Sequence, residues 1–142
     1  KLAKELGADL TVNPKVEDPT EVIKEATDGW GVDIALECAG VPDTVNYALN
    51  SVRGKSRYET GRVVLIALQP RPGKVEWIRE GMVTMSGDHT MDDLRRILTL
   101  AERKRIDLTK TITHKLPFLE LNEAVNILEK QVENVVNVVV TQ

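Results

Sequence analysis

The most constraining feature of this chain is the run Val63, Val64, Leu65, Ile66, Ala67 and Leu68, which contains no polar break. A strand with one face in water would place a polar residue at every second position, so this run suits a strand covered on both faces, as in a parallel sheet. A shorter apolar stretch, Val32 to Cys38, and a β-branched one, Val135 to Val140 interrupted by Asn137, read as strands as well. Between them lie apolar residues at helical spacing: Val22, Ile23 and Ala26; Val45, Ala48, Leu49 and Val52; Leu121, Ala124, Val125 and Leu128. Strands alternating with helices of this length predict βαβ units, parallel pairing and the α/β class.

Punctuation residues set the expected boundaries. Leu2, Ala3 and Leu6 share a helical face that Gly7 ends, and Leu10 to Val12 is expected to be a strand. After a loop holding Pro14 and Pro19, Thr20 is placed as the cap of a short helix, which Gly29 and Gly31 close. Pro42 and Asp43 open the next helix. The stretch Gly54 to Glu59 is polar, and Pro70, Pro72 and Gly73 make a rigid loop before a third strand ending at Met85. Asp92 starts a helix with Leu94, Ile97, Leu98 and Ala101 as its expected buried stripe and Arg95, Arg96 and Arg103 outside. The tail is predicted as loop (Thr113 to Pro117), helix and strand.

With 142 residues, 42% of them hydrophobic and 29% charged, the chain fits one ordinary globular domain rather than a disordered segment. A net charge of -3 and a pI near 5.5 provide no field for a polyanion, and no aromatic platform suggests base stacking, so nucleic acid is not an expected partner. No apolar run reaches the ~18 to 20 residues of a membrane span, and no signal segment opens the sequence, which points to a cytoplasmic protein. Cys38 stands alone and cannot build a disulfide framework or a cysteine-based metal site. The chain opens at Lys1 in what reads as mid-helix, the expectation for a fragment.

Three titratable positions stand out. Glu37 lies in an apolar strand, where a carboxylate must be paired, neutral or at a cleft mouth; a structural ion pair is favoured over a general base. His89 and His114 have no second ligand at metal spacing. Solvent exposure is expected for His89, and packing or hydrogen bonding for His114.

The segments A-K-E-L-G-A-D-L-T-V-N-P, T-D-G-W-G-V-D-I-A-L-E-C-A-G, G-R-V-V-L-I-A-L and I-T-H-K-L-P-F-L-E-L-N-E-A, in this order, resemble the zinc-dependent branch of the medium-chain alcohol and polyol dehydrogenases. The resemblance spans nearly the whole chain but corresponds to the later part of such an enzyme. It implies a partial Rossmann-type, doubly wound parallel sheet over residues 1–112, with 113–142 returning to the catalytic domain. It also implies NAD or NADP across the carboxyl ends of the strands. On that basis the cofactor would lie against Cys38, Ala39 and Gly40, against Ile66, Ala67 and Leu68, and against Met85 and Ser86. The family's G-x-G-x-x-G turn, its NAD-or-NADP selecting residue and its zinc ligands precede the equivalent of Lys1, so neither a catalytic nor a metal-binding residue is assigned here and the piece alone is expected to be inactive. In a sheet ordered 3-2-1-4-5-6, Leu10 to Val12 would be separated from the other strands. Asn137 takes the place where many relatives carry a basic residue for the pyrophosphate. Met82 to Met85 would form the edge strand through which such enzymes make a homo-oligomer. Two alternatives remain open: a non-catalytic dimerisation or binding module, and part of a zinc-free quinone or enoyl reductase of the same superfamily.

Overall fold

In the computed structural model, residues 1–54, 61–67, 82–132 and 134–142 are described. They divide into two compact units, Lys1–Asp88 and His89–Gln142.

The first unit holds α1 (Leu2–Glu5), α2 (Pro19–Ala26), β1 (Ile34–Glu37), α3 (Pro42–Ser51), β2 (Arg62–Leu65) and β3 (Met82–Met85). The three strands form one sheet in the order β1-β2-β3, all parallel, with Ile34 opposite Arg62 and Arg62 opposite Met82. This is the expected α/β architecture. Its core is small: Ala48 and Val52 from the α3 region meet Val63, which is 1% exposed, with Ala35, Leu49, Leu65 and Val83 around them. Burying one such valine contributes about 1.5 to 3 kcal/mol.

Two glycines allow the segment after α3 to approach the start of β1. A Cβ on Gly31, whose φ is +83°, would sit 2.5 Å from the Ser51 carbonyl oxygen. One on Gly61 would sit 2.7 Å from the Val32 carbonyl oxygen. The backbone closes on itself there through Val32 N–H to Ser51 and Arg53 N–H to Val32, both 2.9 Å. An exposed Arg53–Asp33 ion pair at 2.8 Å adds little.

Helix starts follow local chemistry. The Asp18 carboxylate, not Thr20, caps α2, accepting from the N–H groups of Thr20 at 2.7 Å and Glu21 at 3.4 Å. Pro19 fills the first helical position, where its missing N–H costs nothing, and pushes Thr20 inside the helix. At the other end the Thr27 hydroxyl donates to the Ile23 carbonyl and accepts from Gly31 N–H, tying the glycine turn to the last helical turn.

Leu10 to Val12 is not a strand: no ladder partner is present among the described residues and Leu10 is 50% exposed. A three-residue apolar stretch without a neighbour has nowhere to place its backbone hydrogen bonds, and β propensity alone does not make a strand. The expected burial of the Val63–Leu68 run on both faces holds in part: Val63 is buried, Val64 and Leu65 are half-buried and Ile66 is 39% exposed. In this unit α3 covers the face carrying Ala35, Val63 and Leu65, while on β1 the alternate residues Ile34 and Leu36 are 58% and 62% exposed. Leu68, the Gly54–Glu59 loop beyond Gly54, the Pro70–Gly73 loop and the Trp77–Ile78 lead into β3 lie outside the described residues.

The second unit holds α4 (Met91–Glu102), β4 (Ile112–Pro117), α5 (Leu121–Glu129) and β5 (Asn137–Thr141). Thr90 caps α4 in a reciprocal box with Asp93, so the helix begins at Met91, one position ahead of the expected Asp92. The expected stripe of α4 is not buried: Leu94, Ile97 and Leu98 are 41%, 43% and 53% exposed. The segment expected as a loop, Thr113 to Pro117, is part of β4, parallel to β5. Among the described residues of this unit Ala124 of α5 is buried, 3% exposed.

Candidate functional site

Parallel strands end together, and that places the singled-out residues at one end of the sheet. Glu37 pairs with Leu65 and Leu65 with Met85, so the chain leaves β1, β2 and β3 at the same level. Beyond this level Ile66 N–H donates to the Glu37 carbonyl at 2.8 Å and Ser86 N–H to the Leu65 carbonyl at 2.9 Å. Cys38, Ile66 and Ser86 therefore follow one another across the carboxyl edge. Cys38, Ala39, Met85 and Ser86 are exposed, Ile66 is partly so, Ala67 is half-buried and Gly40 is buried. Leu68 lies outside the described residues.

The turn after β1 is built around Glu37. Glu37 is 4% exposed, yet among the described residues it has no cation partner: one carboxylate oxygen, Oε1, accepts from Ala39 N–H at 2.8 Å, Gly40 N–H at 2.8 Å and the Thr44 hydroxyl at 2.7 Å. The expected ion pair is thus replaced by a clasp of neutral donors. Burial alone would raise the carboxyl's pKa, but the hydrogen bonds from Thr44, Gly40 and Ala39 together outweigh it and hold the group below its ordinary value. Gly40 takes φ +67°, and Pro42 then starts α3 with no side-chain cap, so the Glu37 charge lies where a capping carboxylate would be favourable.

Beside the turn, along β1, opens a cavity of about 540 Å³ lined in part by Ala35, Ala39, Thr44, Tyr47 and Ser51. Ser51 is 2% exposed, and its hydroxyl has no hydrogen-bond partner among the described residues.

Other singled-out residues lie elsewhere. The Asn137 amide donates to the Thr111 carbonyl at 3.2 Å, and the Thr113 hydroxyl bridges Val136 N–H and the Asn137 carbonyl at the register shift between β4 and β5. The Asn137 side chain is engaged in holding that irregular strand start. His114 Nδ1 lies 3.0 Å from the Thr113 hydroxyl, in line with a hydrogen-bonding role, and His89 is exposed. Among the described residues no three His, Cys, Asp or Glu side chains converge as metal ligands, so the residues present do not fit a zinc centre. A dinucleotide is a better match, since small exposed residues at aligned strand ends admit a flat ligand close to backbone.

Thr44, which donates to Glu37, is the residue of this turn that the sequence analysis did not single out. Its signal was its position, the third residue of a helix opened by proline, within one turn of a strand-end carboxylate.

Comparison with known proteins follows the same line. The chain is 31% identical over 135 residues to L-threonine 3-dehydrogenase of Bacillus velezensis, covering 91% of this chain and 38% of that one. Sorbitol dehydrogenase of Halalkalibacterium halodurans is 27% identical over 131 residues, with 91% and 38% covered. The crystal structure of 2R,3R-butanediol dehydrogenase from Bacillus subtilis superposes with a TM-score of 0.80 at 26% identity, over 99% of this chain and 40% of that one. The chain spans under two fifths of the length of these curated relatives. The family profile described as zinc-binding dehydrogenase matches residues 1–107, three quarters of the chain, and the chain belongs to that zinc-binding dehydrogenase family.

Proposed function

We propose that this chain is the dinucleotide-holding portion of an NAD(P)-dependent zinc dehydrogenase acting on a small secondary alcohol. The observation carrying the reading is the common level at which β1, β2 and β3 end, with Cys38, Ile66 and Ser86 side by side beyond it. In this reading Cys38, Ala39 and Gly40 border the ribose side of the cofactor. Ile66, Ala67, Met85 and Ser86 face the nicotinamide carboxamide, whose donor and acceptor suit strand-end backbone. The cofactor, when bound, supplies the hydride acceptor; this chain's residues orient its ring and exclude water around it. Residues 1–112 form the cofactor-binding part, and 113–142 return to the catalytic part.

Threonine, sorbitol and 2,3-butanediol, named for the relatives, share a secondary hydroxyl beside a carbon bearing a second heteroatom. We assign the same substrate class here. The outer edge of β3 serves dimerisation, since alternation from the Ser86 hydrogen bond turns the backbone groups of Val83 and Met85 away from β2. A cytoplasmic location accompanies this reading, in keeping with an exposed thiol at Cys38 that forms no disulfide.

The test is to read the coding sequence upstream of Lys1 and assay the product of the whole reading frame with a vicinal diol and a β-hydroxy amino acid. A strand, a G-x-G-x-x-G turn and Cys and His ligands upstream, together with substrate-dependent NAD(P)H formation, are expected. A start codon directly before Lys1 would contradict the proposal.

A further inference from the structure

Glu37 is a buried acid that the proposed cofactor contacts do not use. It accepts from the N–H groups of Ala39 and Gly40 in the turn that leads into α3, and its charge sits beside the positive end of that helix. Thr44, in the first turn of α3, donates to the same oxygen, and the exposed Asp43 adds a second negative charge. In many α/β sheets a strand-to-helix turn of this kind offers its amides to a phosphate. Here the Ala39 and Gly40 amides are already taken by Glu37 and the local charge is negative.

We propose that Glu37 is a positioning and selectivity residue that locks the Cys38–Gly40 turn and closes the start of α3 to the cofactor's phosphates, leaving the turn to uncharged hydroxyl-bearing parts of the dinucleotide. This rests on the reading of the strand ends as a dinucleotide site. It assigns the pyrophosphate to residues outside this turn. The turn's role becomes one of shape: small exposed residues at Cys38 and Ala39, fixed from beneath by a carboxylate that also repels a misplaced phosphate.

The test uses the 142-residue chain labelled with nitrogen-15, titrated separately with inorganic pyrophosphate and NADH at millimolar concentrations. In the unmodified chain pyrophosphate is expected to leave the Ala39 and Gly40 amide signals in place. In Glu37→Ala both should move saturably, and exchange of the Gly40 amide should quicken about tenfold or more on loss of its acceptor. Glu37→Gln keeps an acceptor without charge, so it should retain most of the exchange protection and gain a weaker anion response. Thr44→Val, which leaves both amides bonded, should loosen the turn without admitting pyrophosphate. If Glu37→Ala does not fold, the Gln and Val variants still decide the matter. A saturable pyrophosphate shift at Ala39 and Gly40 in the unmodified chain overturns the proposal, as does a Glu37→Gln response identical to that chain's. Failure of NADH to perturb the strand ends, with the pyrophosphate arms as expected, overturns the dinucleotide reading instead and leaves the anion-closing role of Glu37 standing.

Discussion

At the scale of single residues, Glu37 shows how a carboxylate is kept charged inside an apolar strand with no cation beside it among the described residues. Three neutral donors converge on one oxygen, and their sum exceeds the cost of removing the charge from water. A folded-state pKa below the ordinary 4.5 contributes stability that is fully present above the unfolded value and is lost as pH falls through the folded one. Melting temperature against pH should therefore fall on the acid side of 4.5 more steeply for the unmodified chain than for Glu37→Gln. Superimposable acid limbs would mean that the clasp carries no charge-dependent stability. The carboxylate was visible in the sequence as an anomaly, but its partners were not. An ion pair is the commoner solution, whereas the donors used here are backbone N–H groups, which every sequence contains and no side chain advertises.

At the scale of elements, the sequence is legible where a signal is local and ambiguous where a partner decides. The strands β1 and β2 were marked by apolar runs, and α3 by Pro42 at its first position. β4 went unrecognised although its alternation was present: Ile112, His114 and Leu116 are half-buried while Thr113, Lys115 and Pro117 are exposed. That period of two was hidden by the polar identity of His114 and the proline end, and it becomes a strand only because β5 pairs with it. Leu10 to Val12 carries the same kind of signal and lacks such a partner among the described residues. For α2, the residue before the proline was the cap, and Asp18→Ala should cost about 1 kcal/mol in urea-induced unfolding. A similar loss from Thr20→Ala, with Asp18→Ala neutral, would restore the cap first assigned to Thr20.

At the scale of the whole molecule, the features are two compact units and a three-stranded sheet whose two outer strands carry unpaired edges among the described residues. The carbonyls of Asp33 and Glu37 face β2, so the backbone groups of Ile34 and Leu36 turn to the other edge of β1, where the cavity opens. The family match over 1–107 explains why a sheet with open edges and few buried residues is still a recognisable fold: it corresponds to 38% of the length of the L-threonine 3-dehydrogenase it matches. If the β3 edge serves dimerisation, Thr84→Lys, a charge on an exposed edge residue, should weaken self-association about tenfold or more in sedimentation equilibrium. An unchanged association constant would place the dimer contact elsewhere.

The central claim is that the aligned carboxyl ends of β1, β2 and β3 face a nicotinamide dinucleotide, and a residue-resolved NADH titration of the 142-residue chain tests it most directly. Lacking a glycine-rich turn for the pyrophosphate, the chain should bind weakly, with a dissociation constant of the order of millimolar, roughly 4 kcal/mol of affinity. The amide shifts should concentrate at Cys38–Gly40, Ile66–Ala67 and Met85–Ser86. A low-micromolar constant, or shifts confined to residues away from these strand ends, would contradict the account.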